Sequence, residues 1–570
     1  MSVQIRRHFL PESFAISNWA ELEPFCDNLL QRKWQNAEDF SAWLKDLSEL
    51  EAVFSEDLAW RYIRFTCDTT NKKLQDRYEY FVNEIEPPAA KLFNQLHERI
   101  ADSPFLKDLD DALYGIYKKL ILNELKMFRE ENIPIFSQIS TKSQEYGQIA
   151  SAQTIIVDEK ELTLQQAAVF LKNPDREKRR QVYEAIQQRR SQDKAQLDLL
   201  LDELTVLRQD VATNAGYSDY AAYSFDAMAR FDYTANDCFQ FHTAIESAVV
   251  PVMRTIEMQR KDAMQLHELL PYDLDVDVSG KPAVKPFAGG NELIDKTITC
   301  LNKIDSEFAG FIRTMNELGH FDLDSRIGKA PGGYNYPLAE TGAPFIFMNS
   351  AGTLRDLVTM VHEAGHAVHS FLMNYLPLKG VKDPPSEVCE LASMSMELLT
   401  MEHWDVFIPD REELRRAKVE QLEKVIATLP WVAAVDAFQH WLYTNKNHTS
   451  EQRDAAWIAI IGRFDSGVVN WQSYQQYRNY SWQRQLHIYE VPFYYIEYGM
   501  AQLGALAVWR NYKQDPSTTL TQFKNALKLG YTASIPEIYK AAGIKFDFSK
   551  SYVEELMNFV QSELNHLKVP

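Results

Sequence analysis

The chain has 570 residues, 60 basic and 80 acidic, for a formal net charge of −20 at pH 7. With 45% hydrophobic and 12% aromatic residues it holds enough apolar material for a large core, which excludes global disorder. The acidic balance disfavours nucleic acid and anionic membrane surfaces, because both are bound through Lys and Arg.

In chain order, Met1-Ser2-Val3-Gln4-Ile5-Arg6-Arg7 has no apolar core after its arginines, so no signal peptide is expected. No stretch reaches the ~18 uncharged apolar residues of a membrane helix. Cys26, Cys67, Cys238, Cys300 and Cys389 are scattered and form no C-x-x-C pair. Neither a disulfide framework nor a thiolate zinc site is expected, and the reading is a cytoplasmic protein. Residues 39–65 set Phe40, Trp43, Leu44, Leu47, Leu50, Val53 and Phe54 three and four apart, the apolar stripe of a helix. Pro87-Pro88 is read as interrupting a helical run, with a new one from Ala89. Residues 153–157 and 161–164 predict a small hairpin. Residues 174–215 are charged yet periodic, burying Val182, Ile186, Leu197, Leu200, Leu204 and Leu207. Two zones are non-helical, 271–290 and 321–350. The second ends in the apolar run 345–349, read either as an exposed edge strand to which an extended peptide adds or as a strand that simply bridges helices. The fold class is mainly α with small β insertions.

Thr353, with Asp356 three residues on, predicts a helix start. Leu354, Leu357, Val358, Val361 and Val368 form the buried stripe of that helix. His362 and His366 lie four apart on one face, where both imidazoles reach a single ion. Glu363 beside them can approach a water held by that ion. This H-E-x-x-H spacing supplies two zinc ligands and a general base. His369 lies seven residues past His362, about 10.5 Å along the axis, too far to share one ion comfortably. A third ligand is therefore sought on the next helix. Glu387 sits in its first turn and reads as a partner of the helix dipole. Glu390, on an apolar stretch, is better explained by a partner such as a metal. Glu397, two turns on, reads either as the acceptor that orients a ligand imidazole or as a surface carboxylate.

Taken together, these motifs resemble the thimet oligopeptidase family of zinc metallopeptidases, particularly its oligoendopeptidase F branch. The likeness rests on His362-Glu363-Ala364-Gly365-His366, on Glu390-Leu391-Ala392-Ser393 with Glu397, on Gly332-Gly333-Tyr334, and on the run from His487 to Tyr498. It covers roughly residues 150 to 560 by motif order; the region before resembles the family only in being helical. The resemblance implies one Zn2+ per chain, held by His362, His366 and Glu390, with Glu363 as base. It implies a large helical fold of two lobes around a deep channel, with small β insertions near the zinc site. Residues 1–165 are expected as an N-terminal helical region of the lid lobe and 166–570 as the catalytic region. It also implies that a histidine and following tyrosines donate hydrogen bonds to substrate and to the developing oxyanion. His487 matches that histidine, and Tyr495 and Tyr498 best match the tyrosines. Tyr494, Gly333 and Tyr334 are expected to bind substrate, although Tyr494 and Tyr498, four apart, also read as an aromatic core stripe. Glu490-Val491-Pro492 stands where the thimet branch carries a glycine-rich loop with a further tyrosine.

The function implied is zinc-dependent cleavage of internal bonds in short unstructured peptides. A non-catalytic peptide-binding protein with a vestigial zinc motif is the alternative, as is another zinc peptidase such as an aminopeptidase. The chain lacks the Gly-x-Met-Glu-Asn amine-recognition motif, which weighs against the latter. Oligomeric state is left open.

Overall fold

The computed structural model describes residues 7–568 apart from 327 and 331. Helices dominate, and five strands make two small sheets among the described residues. The expected hairpin is β1 (Thr154–Val157) paired antiparallel with β2 (Lys160–Thr163). The charged 174–215 stretch is two helices, Arg176–Gln192 and Lys194–Asn214. Pro87-Pro88 does not break the chain's helical path. A π-helical turn, Phe81–Ile85, runs straight into the Glu86–Ala101 helix, with both prolines in its first turn. There a missing N–H costs little, because first-turn donors have no partner within the helix.

The apolar side chains form separate cores. One gathers residues between Leu10 and Ile121 with Met373, Leu376, Leu378 and Val381. A much larger one draws on residues from Tyr146 to Leu564. Between them, Ala59 and Ile63 of the Ala37–Cys67 helix pack on Leu338, Phe345 and Phe347. Glu56 of the same helix accepts from the backbone N–H of Glu340 at 2.8 Å and of Thr341 at 2.7 Å. The N-terminal region is thus fastened to the second sheet.

That sheet has the order β3 (Phe321–Asp324), β5 (Phe345–Ser350), β4 (Tyr334–Tyr336). β5 pairs parallel with β3 and antiparallel with β4. The run 345–349 is therefore the central strand, not the exposed edge the sequence suggested. Its four consecutive buried residues, Phe345 to Met348, reflect cover on both faces, and such strands read as unbroken apolar runs. The edges are β3 and β4, and Asn335 on β4 donates from Nδ2 to the Glu363 backbone oxygen at 3.1 Å.

Candidate active site

Leu354–Met373 is a helix opened by a capping box, with Thr353 as N-cap and Asp356 returning the bond. Ser386–Met401 packs across it so closely that a Cβ on Gly365 would lie 2.6 Å from Ser393 Cα. The glycine inside the H-E-x-x-H segment is what lets the two backbones meet. That approach carries Glu390 to the histidine pair: Glu390 Oε2 is 3.2 Å from His362 Nε2 and 3.6 Å from His366 Nε2. One donor atom from each of these residues lies within 4.8 Å of the other two.

The donors are held from behind. Glu397 Oε1 accepts from His362 Nδ1 at 2.7 Å, which leaves Nε2 facing the centre, and Glu397 Oε2 accepts from Gln421 Nε2 at 2.9 Å. Glu397 is thus bonded to His362 and Gln421 rather than standing free at the surface. Ser393 donates to Glu390 Oε2 at 2.8 Å, and the Tyr494 hydroxyl to Oε1 at 3.2 Å. Burial alone would raise the Glu390 carboxyl, but His366 and His362 beside it hold it down at about 2. Glu363, one residue from His362, is buried, and that burial pushes its carboxyl up to about 7 against the opposing effect of His362. Two imidazole nitrogens and one carboxylate oxygen with this convergence fit a zinc ion with an open coordination position. Glu387 is buried and accepts from the Tyr233 hydroxyl instead. His369 is buried with Nε2 unpartnered and stands outside the triad.

His487 sits on a short helix, Leu486–Glu490, and Tyr495 opens the Tyr495–Gln514 helix. The His487 ring centroid is 4.8 Å from that of Tyr495, 5.7 Å from Tyr498 and 6.0 Å from Tyr494. The Glu390 charge bears on the phenols of Tyr494 and Tyr498, whereas Tyr495 feels Arg484 and Arg355. This segment is clamped by residues that sequence reading did not single out. Arg208 donates to the carbonyls of Ile488 and Tyr489, and Arg230 donates to Phe493 O at 2.6 Å and to Glu497 at 2.7 Å. Gln439 accepts from Phe493 N at 2.9 Å, pinning a non-glycine residue at φ +70°. Such a backbone persists only where its surroundings impose it.

Gly333 is exposed in the loop leading to β4. Tyr334 turns towards the N-terminal helix: its ring stacks on Phe347 at 4.8 Å and its hydroxyl lies 2.6 Å from Thr66 Oγ1. Tyr62 stands 5.6 Å from Tyr334, so aromatic residues of the N-terminal region border the edge strand.

Residues 169–558 match the model for peptidase family M3, and residues 9–128 match the peptidase M3 N-terminal domain. The chain is 21% identical over 554 residues to an oligoendopeptidase F homolog of Borreliella burgdorferi, covering 89% of this chain and 87% of that one. It is 23% identical over 337 residues to an oligoendopeptidase F homolog of Lactococcus lactis, covering 57% of this chain. That match spans about half the Lactococcus protein, 53% of its length. Among solved structures, PZ peptidase A with an inhibitor superposes with a TM-score of 0.91 at 26% identity, covering 100% of both chains.

Proposed function

The chain belongs to peptidase family M3, and on that premise we propose that it is a zinc-dependent endopeptidase cleaving internal bonds of short, unstructured peptides. The observation that carries this reading is the convergence of His362, His366 and Glu390 with Glu363 alongside. His362 and His366 would hold the ion through Nε2 and Glu390 through a carboxylate oxygen. Bound there, zinc supplies a Lewis acid that acidifies water and polarises the scissile carbonyl.

The chain's own groups do the rest. Glu363 takes the proton of the attacking water and hands it to the leaving amine, one carboxyl serving both transfers. His487 and a phenol, Tyr498 or Tyr495, donate to the oxyanion that develops on the carbonyl. Tyr494, already bonded to Glu390, steadies that ligand as well as bordering the peptide. β4, as the sheet edge beside Glu363, takes the backbone of an extended substrate. No described helix is long and apolar enough to cross a membrane, and the five cysteines are all unpaired; we place the protein in the cytoplasm.

The test is digestion of a mixed peptide library read by mass spectrometry, with and without chelator, beside Glu363→Gln. Internal cleavage that the chelator and the substitution both abolish is expected. Products from N-terminally free peptides alone would point to an aminopeptidase instead.

A further inference from the structure

The His487 ring must present a hydrogen to the carbonyl oxygen if it is to act as proposed, and a neutral imidazole carries only one. Which nitrogen bears it is settled two residues away. Trp431 Nε1 lies 2.8 Å from Gln485 Oε1. An indole N–H only donates, so the Gln485 oxygen must face Trp431 and its amide nitrogen must face the other way. That nitrogen, Nε2, lies 2.7 Å from His487 Nδ1. An amide NH2 also only donates, so Nδ1 is the acceptor and holds a lone pair. Burial lowers the imidazole to about 4, so the ring is neutral at pH 7 and its single proton is on Nε2.

We infer that Gln485, oriented by Trp431, is a positioning residue that fixes His487 as its Nε2–H tautomer, so that the ring offers the substrate a donor rather than a lone pair. The inference rests on the donor role proposed for His487. Trp431 is itself well anchored to do this. Its ring packs edge-on to Trp457 at 5.4 Å, and the Arg484 guanidinium lies 4.2 Å over it. The other groups facing His487 are the three tyrosine rings and, through its charge, Glu390. Trp431 also faces the Tyr495 hydroxyl, but no tyrosine hydroxyl bonds to Nδ1, so the relay Trp431–Gln485–His487 sets the proton's position.

The test reads the tautomer directly, in zinc-loaded enzyme with 15N-labelled histidine, the His487 signals being those missing from His487→Phe. The wild type is expected to show the Nε2–H pattern. Gln485→Leu is expected to lose that preference and to lower kcat by roughly 10–10³-fold with KM little changed, as for loss of one oxyanion donor. Gln485→Glu separates this role from mere packing. With Trp431 on one carboxylate oxygen, the other accepts from His487 Nδ1, which draws the proton to the wrong side and raises the imidazole pKa. At low pH the imidazolium still donates from Nε2, so activity relative to wild type at the same pH is retained there. It falls as pH rises through that raised pKa, an alkaline limb the wild type does not show. An Nδ1–H pattern in the wild type would overturn the inference. So would an unchanged tautomer in Gln485→Leu, or an equal loss at every pH in Gln485→Glu. A wild type with no peptidase activity would instead overturn the functional reading, since the tautomer is read without substrate.

Discussion

Cys238, Asp436 and His440 bring donor atoms within 4.8 Å of one another, just as His362, His366 and Glu390 do. The two triads part company in their surroundings. The side chains of His362 and His366 keep 18% and 19% exposure, and their Nε2 atoms face the Glu390 carboxylate. Asp436 is fully buried, and His242 already takes one of its oxygens at 2.8 Å. Rings of Phe239 and Phe493 close on His440 at 4.9 and 5.0 Å. Burial drives the Cys238 thiol well above its ordinary pKa, so it stays a neutral thiol rather than the thiolate a metal takes. Convergent donors are therefore not enough. A metal centre also needs deprotonated ligands and a way in.

Substitutions can sharpen or break that contrast. Glu363→Gln is expected to cut kcat by roughly 10²–10⁴-fold while the protein stays folded, as peptide hydrolysis and circular dichroism would show. Cys238→Ala should leave kcat at the wild-type value. Glu397→Gln, which weakens the hold on His362, should loosen zinc by roughly 10–100-fold in competition with a chelator. Asp436→Leu removes the acceptor of His242 and is expected to cost about 1–3 kcal/mol in urea unfolding, with zinc content unchanged. Cys238→Ala should cost about 1 kcal/mol by the same measurement. Zinc lost from Asp436→Leu that still folds would erase the distinction.

The sequence carried one triad and not the other for a physical reason. His362 and His366 are local, four apart on an amphipathic helix, so spacing marks the pair, and Glu390 and Glu397 on the next helix are near enough for the family resemblance to add them. What spacing cannot carry is pairing across distance. Cys238 and His242 meet Asp436 and His440 from helices nearly two hundred residues apart, Ala235–Ala244 and Arg411–Thr444. Arg208 and Arg230 support the centre from more than 260 residues away, Gln421 and Gln439 from 24 and 54, and none has a local signature. The central place of the 345–349 strand has no local signature for the same reason, its partners being visible only once β3 and β4 close on it. Gln485, two residues before His487, was near enough to notice, but its meaning depends on Trp431, more than fifty residues earlier.

Zinc content per folded chain, measured by elemental analysis after gel filtration, tests the central claim most directly. About one zinc in the wild type and in Cys238→Ala, with almost none in His366→Ala, is the predicted result. Zinc that survives His366→Ala but disappears with Cys238→Ala, or a wild type that binds none, would contradict it.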